Sequence, residues 1–373
     1  MGDYMLRRFS VQNFKNFRDR TTIDFTDSKR YEFNESLIKD GVISKAIIYG
    51  KNGSGKTNLG LAIFDIESVL LDKGITKQLL FPFGDQGEYV NAYKLKQEVE
   101  FEYEFQFNDD IVTYMYQKKD RHHLLYEELI VNDEVLIKYN FNTKQRVINI
   151  PEVATLNFEY KNDDLSVVRY IANNSSLDDT HPIRQLMNFV KRMLWFSSFQ
   201  NLGPLGDVKR ERHFSEFILR ENKLKDFESF LKSYGLNFSL DFMNSNNEQV
   251  LALKFGENKI NYFNNISSGT RDLSWFYYWK ERFEGVSLLF IDEFDVYYHY
   301  ELSKKIVSFL KEFNNMQVIL TTHNTFLLNN ELLRPDCYFT IDDKGIKNLP
   351  QRTEKEIRQA HNLEKMYRNG EFD

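Results

Sequence analysis

This sequence contains almost no cysteine and no long apolar run. Cys337 is the single cysteine among 373 residues, so an internal disulfide is excluded and a reducing compartment is expected. No stretch approaches the roughly twenty apolar residues that a membrane-spanning helix needs. Residues 1–10 are mixed and charged, unlike the apolar core of a signal peptide. We therefore expect a cytoplasmic protein without a membrane partner.

The sequence also lacks an excess of positive charge. Its formal net charge is −6, so it has no global attraction for nucleic acid or for an anionic membrane. Binding of DNA would need a local basic patch, and such clusters are more often solvated faces. Long heptad repeats, which a coiled-coil arm requires, are absent as well. The candidate basic clusters are the run Lys209–His213 and a group formed by Arg7, Arg8, Lys15, Arg18 and Arg20.

One short segment specifies a class of ligand. Residues 50–57 read Gly-Lys-Asn-Gly-Ser-Gly-Lys-Thr, a complete G-x-x-x-x-G-K-T phosphate-binding loop. The glycines allow backbone N–H groups to curl around a phosphate, Lys56 can reach the β and γ oxygens, and Thr57 offers a hydroxyl to a metal ion. The sequence therefore predicts that a nucleoside triphosphate and Mg²⁺ bind through Gly50, Asn52, Gly53, Ser54, Gly55, Lys56 and Thr57.

The residues around this loop have the pattern that the motif requires. Residues 46–49 are an apolar run typical of a buried strand, and apolar residues recur at helical spacing over 59–70. The predicted helix directs the positive end of its dipole at the anion. Further along the chain, residues 286–291 and 316–321 are short, apolar, β-rich runs that predict central parallel strands.

Polar residues next to these two strands extend the candidate site. Asp292 and Glu293 follow the first strand, where Asp292 could hold Mg²⁺ and Glu293 could accept a proton from the attacking water. His323 follows the second strand and could contact the γ-phosphate. Ser267 and Gly269 belong to a Ser-x-Gly turn before a predicted helix, which is a second phosphate cradle. That turn is a weak signal alone, because Ser and Gly commonly cap helices.

The rest of the chain predicts an antiparallel β region and then a helical region. Residues 99–107 alternate between apolar and polar, as a half-buried antiparallel strand does, and residues 111–116, 129–131 and 135–139 predict further hairpin strands. The apolar spacing is helical over 181–234, and the tail is predicted to be helical near 354–367. We expect three parts: an N-terminal lobe at 1–180, a helical insertion or lid at 181–260 and a C-terminal lobe at 261–373.

The order of these motifs resembles that of the ABC ATPase superfamily. The start Asn13–Phe17, the run 292–299 and the run 321–328 resemble the N-F-[KR]-x-F, D-E-x-D-x-x-x-H and T-T-H-[DN]-x-x-L-L motifs of SMC/RecF-type ATPases. The tail 362–370 is similar to that of stand-alone bacterial AAA-type ATPases, some of which belong to abortive-infection and phage-defence systems. The resemblance is poor over 75–260. The signature departs from the family pattern at three positions: Ile266, Ser268 and Thr270 replace the usual Leu, Gly and Gln.

The resemblance implies a fold, cofactors and an assembly. The fold is an α/β P-loop NTPase of the ABC/SMC-head type, with a mixed central sheet, an antiparallel β lobe and an inserted helical lobe. The cofactors are ATP and Mg²⁺. The assembly is a homodimer in which Ser267 and Gly269 act on the nucleotide of the other subunit and Asp295 could link the two sites. Lys15 would lie near the nucleotide, and either Gln200 or Gln78 would join Mg²⁺ to the attacking water, with Gln200 slightly favoured.

The same resemblance leaves three functions open. The first is an ATP-hydrolysing sensor of a defence system that controls a partner toxin or nuclease encoded nearby. The second is a RecF/SMC-like DNA-repair ATPase that binds DNA in an ATP-dependent way. The third, a nucleotide-binding subunit of a transporter, fits less well because the chain between Thr57 and Ser267 is long and contains β-hairpins. We expect no nuclease activity, since few residues follow His323.

Overall fold

The computed structural model describes residues 4–71, 88–158, 164–197, 207–245 and 248–372. The chain forms two compact units, of which the first comprises Met1–Trp195, Gly285–Asp292 and Asn314–Asp373. The second unit comprises Phe196–Glu284 and Glu293–Phe313, so the chain leaves the first unit between two successive acidic residues. These units are discontinuous, whereas the predicted division at about 180 and 260 runs consecutively along the chain and stays a prediction.

A mostly parallel six-stranded sheet runs through the first unit. Strands and helices are numbered along the chain, and the strands of this sheet are β5 (Lys45–Tyr49), β11 (Leu194–Ser197), β15 (Leu288–Asp292), β16 (Gln317–Thr322), β17 (Tyr338–Asp342) and β18 (Gly345–Asn348). Their order is β11-β15-β16-β5-β17-β18. β16 pairs in parallel with β15 and with β5, and β18 is antiparallel to β17. The two predicted parallel strands and the predicted buried strand before the loop are therefore confirmed, and they lie side by side. All three are buried along their whole length, as apolar runs in parallel sheets are.

Helices pack on this sheet, and one of them does so unusually closely. A side-chain carbon on Gly60 would lie only 2.6 Å from the ring of Phe290 on β15, so glycine at this position allows α1 to approach the sheet. The helices of the first unit are α1 (Lys56–Ile63), α2 (Asp65–Leu70), α3 (Val167–Asn174), α4 (Pro182–Lys191) and α10 (Leu363–Arg368).

A seven-stranded antiparallel sheet, in the order β10-β9-β8-β7-β6-β1-β2, completes the first unit. Its strands are β1 (Tyr4–Gln12), β2 (Thr21–Asp24), β6 (Val99–Phe107), β7 (Asp110–Lys118), β8 (Leu124–Val131), β9 (Glu134–Asn140) and β10 (Arg146–Ile148). Burial alternates at every residue of β6, which confirms the alternating strand expected from the sequence. A separate small hairpin joins β3 (Ile38–Lys39) to β4 (Val42–Ile43).

One buried glutamine connects the parallel sheet to the antiparallel sheet. The Gln317 side chain, at the start of β16, accepts a hydrogen bond from the N–H of Leu6 at 2.9 Å and donates one to the carbonyl of Leu6 at 2.9 Å. It also donates to the carbonyl of Ile43 at 3.1 Å. The pairing of β1 with β6 shifts register between Leu6 and Arg8, so this side chain bonds the backbone of β1 next to an irregularity in the ladder.

A buried ion pair makes a second connection in the first unit. Asp65, the first residue of α2, accepts a hydrogen bond from the Lys118 ammonium at 3.0 Å, and the two side chains are 7% and 2% exposed. Tyr89 and Tyr116 also donate their hydroxyl protons to the Asp65 carboxylate, at 2.8 and 2.9 Å. A buried charge needs such compensation, so these bonds tie the start of α2 to the antiparallel sheet.

The second unit combines helices with a small antiparallel sheet. Its core is aromatic, with Phe214, Phe227 and Trp275 among its fully or nearly buried rings. Residues 240–261, which follow the range of helical spacing at 181–234, pair as three short strands. The elements are α5 (Asp207–Arg220), α6 (Leu224–Ser233), α7 (Tyr262–Asn265), α8 (Ser268–Lys280), α9 (Tyr300–Lys311), β12 (Leu240–Ser245), β13 (Glu248–Phe255) and β14 (Asn258–Asn261).

The C-terminal segment packs within the first unit. Asn330 donates from its side-chain amide to the carbonyls of Arg358, Gln359 and His361, at 3.0–3.2 Å. The tail was predicted to be helical near 354–367, but only α10 is an α-helix there, and turns precede it. Single-turn 3-10 helices occur at Glu35–Leu37, Pro151–Val153, Thr325–Leu327, Pro335–Cys337 and Leu349–Gln351. No helix in the described ranges is long and apolar enough to span a bilayer.

A buried lysine begins the strand that leads to the phosphate-binding loop. Lys45 is 4% exposed and donates to the carbonyl of Met316 at 2.6 Å. Burial, with a smaller contribution from the positive charge of Lys39, lowers the pKa of Lys45 to about 7. An unfolded chain would restore the ordinary value near 10.5. Between these two values the unfolded state binds more protons than the folded state, so this lysine makes stability rise with pH.

We predict that Lys45→Met removes this pH dependence. The free energy of unfolding of the parent should rise by up to about 1.4 kcal/mol per pH unit from this group between pH 7 and 9.5. The variant should lack that contribution and be the more stable protein at pH 7. Urea unfolding at three pH values measures the difference. Lys347→Met, an exposed change on β18, should keep the parental slope, and an equal slope in Lys45→Met would contradict the assignment.

Candidate functional site

The phosphate-binding loop lies between β5 and α1. Gly53 and Gly55 have φ angles of 81° and 102°, a left-handed conformation that strongly favours glycine. A side-chain carbon on Gly50 would lie 2.7 Å from the side chain of Ile341, so glycine is needed there for space. α1 begins immediately after Gly55, and no side chain caps it. The loop therefore presents the N-terminus of a helix without an internal acceptor, as an anion site requires.

Lys56 holds this loop in its curled form. The side chain is 5% exposed, and its ammonium donates to the carbonyl of Gly50 at 2.7 Å and to the carbonyl of Lys51 at 3.2 Å. These bonds fold the lysine back over the loop that it terminates. An ammonium in this place can exchange backbone carbonyls for phosphate oxygens with little change in position.

Asp292 connects the loop to two strands of the parallel sheet. It is 5% exposed, at the end of β15. Its carboxylate accepts a hydrogen bond from the Thr57 hydroxyl at 2.6 Å and another from the Thr321 hydroxyl, on β16, at 2.5 Å. The sequence predicted Thr57 and Asp292 as metal-site residues, and the fold brings them into contact. Thr321 was not predicted as a site residue.

The residues around this contact fit a phosphate and a hard cation. The Ser54 hydroxyl is shielded from solvent and has no hydrogen-bond partner among the described residues, so a ligand atom could satisfy it. Thr57 and Asp292 supply hydroxyl and carboxylate oxygens, which Mg²⁺ prefers. No group of three or more His, Cys, Asp and Glu in the described part of the chain could hold a metal ion.

Glu293 and His323 follow the two central strands. Glu293 has a φ angle of 49°, which is uncommon for a residue with a side chain and is found at turns and strained sites. It is half-buried and begins the second stretch of the second unit. His323 is exposed, directly after β16 in the first unit. Both therefore occupy the strand ends at which the sequence placed them.

The signature residues lie at the start of α8 in the second unit. The Ser267 hydroxyl accepts a hydrogen bond from the backbone N–H of Thr270 at 3.2 Å and so caps the helix. Gly269 has a second reason to be glycine, since a side-chain carbon there would lie 2.6 Å from the carbonyl oxygen of Tyr297. Ser267 therefore acts as an ordinary helix cap, whereas Gly269 permits a close approach of backbone.

Comparisons with known proteins identify the family. Residues 45–329 match a family model described as "AAA domain, putative AbiEii toxin, Type IV TA system". That match spans well over half of the chain. The chain belongs to this AAA-domain family. No curated protein matches the sequence.

The solved structures place the fold of this AAA-domain protein. An SMC head bound to the C-winged helix domain of ScpA is similar with a TM-score of 0.50 and 14% identity, over 92% of this chain and 97% of that chain. An SMC head domain from Thermotoga maritima gives 0.38 at 15% identity, over 94% and 99%. The recombination mediator RecF with ATP gives 0.40 at 14% identity, over 94% and 100%. The predicted ABC/SMC-head type of P-loop fold is confirmed, and AAA domains as a class are ATPase domains.

In this AAA-domain protein, Asn16 of the N-terminal motif lies at the phosphate-binding loop, although the sequence did not predict it as a site residue. The Asn16 side chain lies against Gly55 and accepts a hydrogen bond from the side chain of Asn58, on α1, at 2.6 Å. Its membership of the Asn13–Phe17 motif was the available signal. The neighbouring Lys15 has a left-handed φ of 48°. Burial, followed by repulsion from Arg121, lowers the pKa of Lys15.

Some predicted site residues are not tested by this geometry. Gln200 and Gln78 both lie outside the described residues, so the choice between them stays open. Asp295 is buried in the second unit, at 6% exposure. In the basic clusters, the described side chains of Arg7, Arg8, Arg20 and Arg212 form ion pairs with carboxylates: Glu104, Asp24, Glu100, Glu102, Glu216 and Glu248. These arginines thus contribute less unbalanced positive charge than the sequence implies.

We predict that Thr321→Val destabilises the protein even without nucleotide. The change keeps the branched shape but removes one of the two hydroxyl donors to the buried Asp292 carboxylate. The loss should be about 1–3 kcal/mol in free energy of unfolding. Thr340→Val is the matched control, because its hydroxyl donates to a neutral carbonyl at 3.4 Å in the same sheet. Urea unfolding of both variants makes the comparison, and equal losses would argue against a special role for the carboxylate contact.

We also predict that Gly269→Ala destabilises the second unit. Alanine normally stabilises a helix relative to glycine by about 1 kcal/mol. Here the added carbon meets a backbone carbonyl that cannot rotate away, so overpacking should cost about 1–3 kcal/mol instead. Thermal unfolding followed by circular dichroism should show a lower melting temperature, and an increase would contradict the close approach to Tyr297.

Proposed function

We propose that this protein is a Mg²⁺-dependent ATP-binding and ATP-hydrolysing switch that works as an ATP-sandwiched dimer. One observation carries the proposal: the Asp292 carboxylate accepts a hydrogen bond from the Thr57 hydroxyl at 2.6 Å. This contact lies beside the loop whose Gly50 carbonyl is bonded by the Lys56 ammonium. The helix N-terminus, the hydroxyls and the carboxylate are the groups that bind a nucleotide phosphate with a metal ion in P-loop ATPases. The AAA-domain family supports ATP as the nucleotide.

Each residue then has a chemical role. Lys56 would bind β- and γ-phosphate oxygens, and Thr57 and Asp292 would hold the metal ion, with Gln200 as a further candidate. Mg²⁺, when bound, would neutralise charge on the phosphates. Glu293 would accept the proton of the attacking water, and His323 would contact the γ-phosphate. Lys15, which is half-buried, is the candidate for a further phosphate contact.

The dimer in this proposal completes each site with a second copy of the chain. Ser267 and Gly269 would contact the nucleotide bound by the partner subunit. Two apolar residues next to this signature support an interface, since Val296 and Tyr297 are 47% and 41% exposed and the backbone of Tyr297 touches Gly269. Exposed apolar side chains that adjoin one another commonly mark contact surfaces. ATP binding would close the dimer and hydrolysis would open it.

The output that we propose is control of an effector in a phage-defence or abortive-infection system in the cytoplasm. The family description, which names a putative toxin of a type IV toxin–antitoxin system, supports this class of function. The effector would be a toxin or nuclease encoded nearby. The ion-paired arginines give no added support to the alternative of a DNA-repair ATPase. ATP-dependent, salt-sensitive binding of DNA would favour that alternative.

A test of the ATPase mechanism uses two site variants and one control. Lys56→Ala should abolish the rise in melting temperature on adding Mg²⁺-ATP. Glu293→Gln should bind ATP normally, hydrolyse it about 100-fold or more slowly and accumulate as a dimer in size-exclusion chromatography. Lys347→Ala, an exposed change on β18, should behave as the parent. Parental hydrolysis by Glu293→Gln would show that another group is the base.

The proposed output has its own test. Three cell strains would be compared. The first expresses this chain alone, the second expresses it with the product of a neighbouring gene, and the third expresses the Lys56→Ala variant with that product. Growth arrest that requires the neighbour and changes with Lys56→Ala supports effector control. Growth arrest caused by this chain alone would instead identify it as the toxin. ATP-dependent binding of the neighbouring gene product without an effect on growth would show that the two proteins associate but that this chain does not control an effector.

A further inference from the structure

The C-terminal motif at 362–370 supplies none of the proposed nucleotide-binding residues, but it forms a short helix in the first unit. This helix, α10, has six residues, which are too few to be stable in isolation. The Asn362 side chain caps it by accepting a hydrogen bond from the N–H of Lys365 at 2.8 Å. Leu363, its first residue, is completely buried. The position of α10 therefore depends on the contacts that its residues make with the rest of the unit.

One residue of α10 packs against the strand that leads into the phosphate-binding loop. The ring centroids of Tyr367 and Tyr49 are 6.2 Å apart, and the ring planes are inclined by 49°. Rings at this distance attract one another. Tyr49 is 1% exposed, and it is the last residue of β5, directly before Gly50. The helix therefore contacts the chain at the point where the loop begins.

The chain that carries His323 leaves the sheet beside this point. β16 and β5 are parallel neighbours, and Thr322 at the end of β16 pairs with Tyr49 at the end of β5. His323 follows the first of these residues, and Gly50 follows the second. Because the carboxyl ends of parallel strands meet at one edge of a sheet, the phosphate-binding loop and the chain after β16 start side by side.

Residues 323–329, here called the His323 segment, are held by the sheet at both ends. At one end, the N–H of Asn324 donates to the Thr322 hydroxyl at 2.9 Å. At the other end, the Tyr338 hydroxyl on β17 lies 3.0 and 2.7 Å from the carbonyl oxygens of Leu327 and Asn329. The middle of the segment, between these two points, is where α10 makes its second contact.

This second contact is a cation over an aromatic ring. The guanidinium carbon of Arg368 lies 5.1 Å from the ring centroid of Phe326, which is the third residue after His323. Glu364, one turn earlier on α10, pairs with the same guanidinium at 2.7 Å and so directs it. Phe326 is 51% exposed, so the arginine covers part of an apolar ring that would otherwise meet water.

We infer that α10 is a brace that positions the His323 segment relative to the phosphate-binding loop, with Tyr367 and Arg368 as its two positioning residues. This inference rests on the proposed ATPase function and adds positioning residues to it. The two side chains are neighbours on one short helix, so the contact with the base of the loop and the contact with the segment move together. A small displacement of a group that contacts the reacting phosphate is enough to slow phosphoryl transfer.

The test removes the contact between α10 and the His323 segment by changing exposed side chains. Arg368→Ala removes the guanidinium, Phe326→Leu replaces the ring, and the double variant removes both. Arg368→Lys is the conservative variant, because it keeps a cation that can lie over the ring. Arg358→Ala is the matched control. Arg358 is an exposed arginine of the same C-terminal segment that pairs with Glu356 at 2.9 Å and, within the described ranges, with no aromatic ring.

A positioning role predicts that turnover changes while binding does not. Arg368→Ala and Phe326→Leu should each hydrolyse ATP about two- to fivefold more slowly in single turnover, a rate difference that matches the strength of an exposed cation–π contact. The dissociation constant for ATP should stay within about twofold of the parent, because the phosphate-binding loop is unchanged. The double variant should be no slower than the slower single variant. Arg368→Lys should be faster than Arg368→Ala, and Arg358→Ala should match the parent.

Amide hydrogen exchange without nucleotide tests the brace independently of the chemistry. Exchange at 324–329 should accelerate in Arg368→Ala, at a melting temperature similar to that of Arg358→Ala. It should accelerate at the same residues in Tyr367→Leu, because loss of the ring that packs on Tyr49 loosens the whole helix. Arg358→Ala should exchange as the parent does.

Other results would overturn the inference. Parental turnover and unchanged exchange in Arg368→Ala would show that α10 does not hold the His323 segment. Equal slowing by Arg358→Ala would assign the effect to surface charge, and effects that multiply in the double variant would show that Arg368 and Phe326 act independently. A parent that hydrolyses no ATP would refute the proposed function instead, and the exchange comparison would still decide whether α10 braces the segment.

Discussion

The Asp292 carboxylate is the constraint on which the phosphate-binding region depends. It is almost fully buried and accepts hydrogen bonds from Thr57, at the head of α1, and from Thr321, on β16. A buried carboxylate without donors would cost several kcal/mol, so these contacts fix the positions of the elements that supply the donors. The loop, the helix and two parallel strands therefore meet in one arrangement, and such preorganisation is what the proposed phosphoryl chemistry would need.

The same physical logic holds the two sheets of the first unit together. Gln317 forms hydrogen bonds with backbone groups of β1 and of the end of β4. The Asp65–Lys118 ion pair joins the start of α2 to β7. Each is a polar group inside an apolar core, and each is stable because its partners come from a different sheet or helix. The apolar core supplies most of the stability, whereas these contacts specify how the layers are joined.

The second unit applies a different constraint, the close approach of backbone to a helix. Gly269 leaves room for the carbonyl oxygen of Tyr297, which would lie 2.6 Å from a side-chain carbon at that position. The chain changes units between Asp292 and Glu293, so two neighbouring acidic residues belong to different compact bodies. The backbone conformation of residues 293–298 helps to set the direction of the Glu293 side chain, and Glu293 itself has an uncommon φ of 49°.

Most of the elements and the class of ligand could be predicted from the sequence, because both depend on local patterns. The phosphate loop, the buried strand before it, the two parallel strands and the alternating strand β6 were recognisable within runs of ten residues or fewer, and the family resemblance followed from the order of the motifs. Which distant residues meet became clear only from the folded chain. Thr57 and Asp292 are 235 positions apart, and Leu6 and Gln317 are 311 apart. Thr321 and Asn16 both lie in recognisable motifs, but neither motif shows that Thr321 contacts Asp292 or that Asn16 lies against Gly55. Such contacts depend on the path of the whole chain, since a hydrogen bond inside a core forms only where the fold brings donor and acceptor together away from water.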